Sequence, residues 1–140
     1  MKTTPTIDYA DAKAIVSAIV EKALELQKPV VVAVTDSHGE LLALARMDGA
    51  PLTSIRIAAN KALTAARDRK PTKDIGDKVR DPQKGFDIAY YGDDRFVGWG
   101  GGLPLWKDGQ VIGAIGVSGL TQPEDIALAT IGVELIAATS

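Results

Sequence analysis

Cysteine is absent from this chain of 140 residues, and histidine occurs once, at His38. Without thiols there are no disulfides, no thiolate metal sites and no cysteine nucleophiles, so no metal site is expected and the simplest compartment is cytoplasmic. Aromatic residues make up only 5%. The core must then be built from Ala, Val, Ile and Leu, whose small side chains let elements approach closely. No apolar run approaches the length of a membrane span, and residues 1–8 hold Thr3, Thr4, Pro5 and Asp8, so neither a secretory signal peptide nor a membrane partner is expected. One sign of charge does not dominate either: 16 basic and 18 acidic residues are mixed along the chain for a net charge of −2. That leaves no electrostatic footprint for nucleic acid.

What remains is a chain that is 46% hydrophobic, long enough for one domain over residues 1–140. Its expected partners are a small-molecule ligand and other subunits of its own kind, because surplus apolar faces on a short chain predict a homo-oligomer. The stretch 98–119 organises the rest. It reads as a glycine-rich loop, a strand, a tight turn at Asp108-Gly109 and a second strand, since Asp-Gly supplies the positive φ of a two-residue hairpin. In the second strand Val111, Gly113, Ile115 and Val117 alternate with Ile112, Ala114, Gly116 and Ser118. Neither face is polar enough for water, so both are covered, and Gly113 and Gly116 predict close helix packing or a ligand against the backbone.

Along the chain, residues 8–27 predict a helix capped by Asp8, with Ala12, Ile15, Val16, Ile19, Ala23, Leu24 and Leu26 recurring at helical spacing. Val30–Thr35 is a β-branched strand, Asp36-Ser37-His38-Gly39 a turn, and Glu40–Met47 the returning strand. Thr53 or Ser54 is expected to cap a helix over about 54–69, on which Arg56, Asn60, Thr64 and Arg67 form a polar stripe. Pro71-Thr72 starts a short helix through about Val79. Residues 70–99 mix Phe86, Ile88, Tyr90, Tyr91 and Phe96 with charges; a strand near 86–91 is expected, and the connection is either a lid or an interface buttress. Thr121-Gln122-Pro123-Glu124 is a capping box opening a last helix, 122–138, apolar around most of its girth. Hairpins joined through helices predict an α+β fold with an antiparallel sheet.

Several stretches resemble the GlcG/HbpS family, which includes the C-terminal domain of PduO-type proteins. They are Val30–Asp36 followed by Gly39, Arg46-Met47-Asp48-Gly49-Ala50, Ala59-Asn60-Lys61-Ala62 with Thr64-Ala65, and Gly101-Gly102-Leu103-Pro104-Leu105. Asp108-Gly109 with Ile112–Gly119, and Glu124-Asp125 before the last helix, complete the set. The resemblance implies a profilin-like fold, a central antiparallel β-sheet flanked by α-helices, self-association, and haem or tetrapyrrole binding in some members. Haem iron takes His, Met, Cys or Tyr. Here the one histidine sits in a turn and is read as a solvated turn residue, with Met47, Tyr90 and Tyr91 as the other ligand candidates.

Two functions follow. The first is a binding protein for haem or another tetrapyrrole, with its pocket between the Arg56/Asn60/Thr64 helix and the glycine-rich hairpin. The second is a cofactor-independent isomerase, hydratase or lyase acting on a small carboxylate. There Arg46 clamps the acid, Lys61 or Asp48 moves a proton, and Gly100, Gly101 and Gly102 steady an oxyanion through their amides. Each has a structural alternative: an ion pair from Arg46 to Asp48 or Asp125, a lysine paired with an acid, a plain glycine loop. Glu124 and Asp125 are read as helix-capping partners. Met47 and Ser118 join the candidate binding residues, and family precedent favours the first function. A purely structural assembly subunit is the third reading.

Overall fold

A computed structural model describes residues 1–139. Helix α1, Tyr9–Leu26, starts at a reciprocal cap: the Asp8 carboxylate accepts from the Asp11 amide at 2.9 Å, and the Asp11 carboxylate accepts from the Asp8 amide. It ends on Gln27 in the left-handed conformation, φ 56°, just ahead of Lys28-Pro29. Strands β1 (Val31–Asp36) and β2 (Leu41–Arg46) follow, then α2 (Ser54–Asp68), α3 (Thr72–Val79), β3 (Gly102–Lys107), β4 (Gln110–Ser118) and α4 (Gln122–Thr139). All strand pairs are antiparallel in the order β2-β1-β4-β3. The α+β architecture is thus the expected one, an antiparallel sheet flanked by helices.

The sheet divides two cores. Val32, Val34, Ile115 and Val117 join Ile15 and Ile19 of α1 and Leu128, Ala129 and Ile136 of α4 on one side. Burying each of the larger aliphatic side chains is worth roughly 1.5–3 kcal/mol. On the other side Val31 and Ala33 join Ala50 and the α2 alanines Ala58 and Ala62, with Leu44, Ile55 and Ala59 packed at the edge. The small alanines let α2 approach the sheet closely. At Gly116 the helix lies backbone to backbone on β4: a methyl built there runs into the Ala58 carbonyl oxygen and stands 2.8 Å from the Ala62 amide nitrogen. Gly113 is filled differently, by the Ile7 side chain of the N-terminal segment rather than by a helix.

Register brings distant turns together. β1 runs from Val31, opposite Ser118, to Asp36, opposite Gly113. The Asp36–Gly39 turn therefore lies beside the Asp108-Gly109 turn, whose φ angles of 51° and 76° are those of the two-residue hairpin. The glycine loop and Ser118-Gly119 occupy the opposite end. Helix α2 spans the two: Ser54 Oγ is 3.0 Å from Ser118 Oγ, and Arg67 Nε donates to the His38 carbonyl at 2.9 Å.

Some local expectations are corrected. Residues 86–91 form no strand; a 3-10 turn occupies Ile88–Tyr90, because the Asp87 carboxylate accepts from the Ala89 amide and closes the backbone on itself. The long connection is strapped to the outer side of α2, with Tyr91 Oη on Asp68, Arg67 on Asp93 at 3.0 Å, and the Val97 amide donating to Thr64 Oγ1. Its Phe86 ring stacks on Tyr91, and Phe96 meets Tyr91 at a tilt of 55°. Thr64 is buried in that junction and so leaves the polar stripe. Thr53 occupies the N-cap position of α2 without a side-chain capping bond, whereas the Thr121–Glu124 box of α4 forms as expected.

The backbone contact at Gly116 supplies a sharp test. Gly116→Ala is expected to lower the urea unfolding free energy by about 2–3 kcal/mol, the usual cost of overpacking, with no change in far-ultraviolet helix content.

Candidate functional site

Two concave sites lie at opposite ends of α2. The first is centred on Lys61, which the helical spacing places on the same side as Ala58, Ala62 and Ala65, facing the sheet. Its Nζ donates to the Val117 carbonyl at 2.9 Å and to Asp125 Oδ2 at 3.1 Å. Both side chains of this ion pair are only 3% exposed. Asp125 stands in the first turn of α4, and its other oxygen accepts from the Leu120 amide at 3.1 Å. It is thus more than a capping residue, while neighbouring Glu124 keeps that role and also pairs with Lys28.

Glycine is demanded beside the pair. Gly101 has φ +126°, and a Cβ there would stand 2.8 Å from Lys61 Nζ. The run does not present a row of free amides, however. Gly100 donates to Gln122 Oε1 at 2.7 Å and Gly102 to Thr72 Oγ1 at 2.9 Å. Lys61 and Asp125 open onto a cavity of about 370 Å³ whose walls include Ser54, Ser118, Pro51, Ile57, Trp99 and Leu120.

Burial dominates the electrostatics. It pushes the Lys61 ammonium below its ordinary 10.5 and the Asp125 carboxyl above its ordinary 3.8, since both neutral forms are favoured away from water; mutual attraction opposes each shift.

The other candidates are dispersed. Arg46, Met47 and Asp48 line a separate depression of about 300 Å³ with Val20 and Leu24. Among the described residues Arg46 pairs with neither Asp48 nor Asp125. The clamp and the proton-moving lysine of the enzyme reading therefore do not share a site. Met47 is turned to the sheet, its sulfur accepting from the Val30 amide at 3.5 Å. Arg56 and Asn60 line a third hollow with Leu52 and Ile55. Of the expected set, Lys61 and Ser118 share the buried-pair cavity, with Gly101 packed against the Lys61 ammonium and Gly102 against the Lys61 carbonyl.

The second site is the wide cavity at the turn end, about 850 Å³. It gathers Lys2 and Thr4 from the N-terminal segment, Ser37 and His38 from the first turn, Asp68, Arg69 and Lys70 from the end of α2, and Trp106 of β3. Arg69 is the left-handed cap of α2, φ 55°. These residues were not singled out together from the sequence, since they come from four separate segments; the single histidine was the only signal. His38 is in an exposed turn, as expected, but the turn is also a wall. Tyr91 is engaged with Asp68, and Tyr90 is 85% exposed. Among the described residues no group of three or more His, Cys, Asp or Glu is arranged to hold a metal ion, and no helix is long and apolar enough to cross a membrane.

The buried pair makes a signed pH prediction. A raised Asp125 contributes stability that is full below pH 3.8 and lost as pH rises through its folded value; a lowered Lys61 contributes stability that is full above 10.5 and lost as pH falls through its folded value. Relative to the double variant Lys61→Met/Asp125→Leu, the wild type should therefore be least favoured between those limits. Urea unfolding at neutral pH should show Asp125→Leu alone costing about 3–5 kcal/mol, because it strands a buried ammonium, and the double variant recovering most of that.

Comparison with known proteins agrees with this fold. A family model described as "Haem degrading protein HbpS-like" matches residues 7–134. The chain is 44% identical over 124 residues to a 15.0 kDa protein of the dhaT-dhaS intergenic region of Citrobacter freundii, covering 89% of this chain and 87% of that one. It is 38% identical over 118 residues to the GlcG protein of Escherichia coli K12, covering 84% and 85%. Among solved structures a PduOC:heme complex superposes with a TM-score of 0.85 at 33% identity, over 92% of this chain and 94% of that one. The family match over nearly the whole chain, together with these identities, shows that the protein belongs to the GlcG/HbpS family.

Proposed function

We propose that the protein binds a small molecule, haem or a related tetrapyrrole, in the wide cavity at the turn end of the sheet. The observation that carries this reading is the composition of that cavity. Within about 850 Å³ it collects the single histidine, an exposed tryptophan and three cationic side chains. The volume lies within the range of about 300–1,000 Å³ usual for small-molecule sites.

The residues fit the group. A tetrapyrrole is broad, flat and apolar, with carboxylates at one edge. Trp106, 51% exposed, offers it a flat face. Lys2, Arg69 and Lys70 would meet the carboxylates, Arg69 through its planar fork. The His38 imidazole makes no hydrogen bond among the described residues and supplies the nitrogen that haem iron commonly takes. Ser37 Oγ is buried at the same wall with no hydrogen-bond partner among the described residues, a donor for a polar edge of the ligand. Asp68 is the one carboxylate in the lining, and it is held by Tyr91 Oη at 3.0 Å and lies 4.0 Å from Lys70 Nζ. That leaves the rim positive. The relative solved as a PduOC:heme complex supports the same class of ligand.

Haemin titration followed at the Soret band tests the reading. The wild type should saturate at one haemin per chain; His38→Ala should shift the band, and Arg69→Glu/Lys70→Glu should weaken binding by about tenfold or more at low salt. A wild-type spectrum identical to that of all these variants would sink the assignment.

A further inference from the structure

The Lys61 cavity is separate from the proposed tetrapyrrole cavity, and it has the composition of a reactive site. We propose that it takes a small aliphatic aldehyde or ketone, and that Lys61 Nζ condenses reversibly with the carbonyl carbon. The amine and its proton partner are already in place. Two positions of Nζ are held by hydrogen bonds, to the Val117 carbonyl and to Asp125 Oδ2, and the remaining one has no partner among the described residues. Proton transfer from Nζ to Asp125 Oδ2 within the pair leaves an amine beside a carboxyl, and that is the form that reacts. A pair with only a structural role needs no cavity beside it; this pair lines one of about 370 Å³.

The walls select the ligand. Pro51, Ile57, Trp99 and Leu120 offer apolar surface for a short carbon chain. The Ser54 and Ser118 hydroxyls, 3.0 Å apart, bond to each other and retain one O–H between them for a carbonyl oxygen. Lys61 and Asp125 are neutral as a pair, so the cavity holds no uncompensated cation for a carboxylate. Burial further favours the amine over the ammonium, as in other lysine nucleophiles.

The step balances without a cofactor. Nζ attacks the carbonyl carbon, the C–N bond forms, and the oxygen takes a proton from the Asp125 carboxyl to give a carbinolamine. Nitrogen returns a proton to the Asp125 carboxylate. The hydroxyl then leaves as water with that proton, the nitrogen lone pair closes the C=N bond, and the iminium nitrogen gives up its last proton to solvent or to Asp125. Aldehyde and amine become imine and water, with no oxidation or reduction.

Reductive trapping decides the matter on the full chain. The protein is mixed with equimolar butyraldehyde and cyanoborohydride at pH 7.5, digested and mapped by mass spectrometry. Because the cavity holds the aldehyde against Nζ with a proton donor beside it, the N-butyl group should accumulate on Lys61 at least about tenfold faster than on exposed Lys22 or Lys73, and more slowly in Asp125→Asn. Label spread over exposed lysines with Lys61 unmodified, in wild-type protein of unchanged circular dichroism, overturns the proposal. The wild-type map is decisive even where a Lys61 variant does not fold.

Discussion

The contact on which the rest of the molecule depends is the backbone approach of α2 to β4 at Gly116. Only glycine on the strand and alanine on the helix permit it, and it places the helix axis where a lysine of its inner side reaches the strand's own carbonyl, Val117. A bulkier contact would lift α2 away from the sheet. Lys61 would then lose Val117 and Asp125 together, and the far end of the helix would lose its seat against the first hairpin turn, where Arg67 bonds the His38 carbonyl.

From that contact the two sites acquire different physics. At one end α2, the glycine loop and the start of α4 enclose an ion pair almost out of reach of water, so the chemistry there is governed by desolvation and by proton sharing. At the other end the helix terminus, two turns and the N-terminal segment form an open, cationic bowl with an aromatic wall. Recognition there depends on shape and on charge that salt can screen. One helix, rigidly seated, carries both. The aromatic strap over residues 86–97 fastens its outer side through Thr64, Arg67 and Asp68.

One fold can host many functions, so the similarity to GlcG and to PduOC constrains architecture more tightly than ligand. The ligand depends on which side chains this chain places in that frame. Its histidine is placed in a turn, and the arginine of Arg46-Met47-Asp48 faces a depression away from the buried lysine. A carboxylate enzyme built on Arg46 and Lys61 together is therefore not favoured by this arrangement.

The sequence by itself determined the elements whose signals are local. Asp108-Gly109 requires positive φ, Asp8 with Asp11 and Thr121 with Glu124 satisfy free helix amides, and the alternation of Val30–Thr35 and Val111–Ser118 leaves no wet face. It also offered Lys61 as a proton mover or a lysine paired with an acid, and its motifs carried the family. Tertiary structure decided which acid faces that lysine, because Asp125 is 64 residues away in the chain. It decided too that residues 86–91 close on Asp87 rather than pair as a strand. The gathering of His38, Arg69 and Trp106 was likewise its work. Those outcomes depend on antiparallel register and on the close seating of α2, and no local pattern encodes which distant side chains such packing brings within a few ångströms.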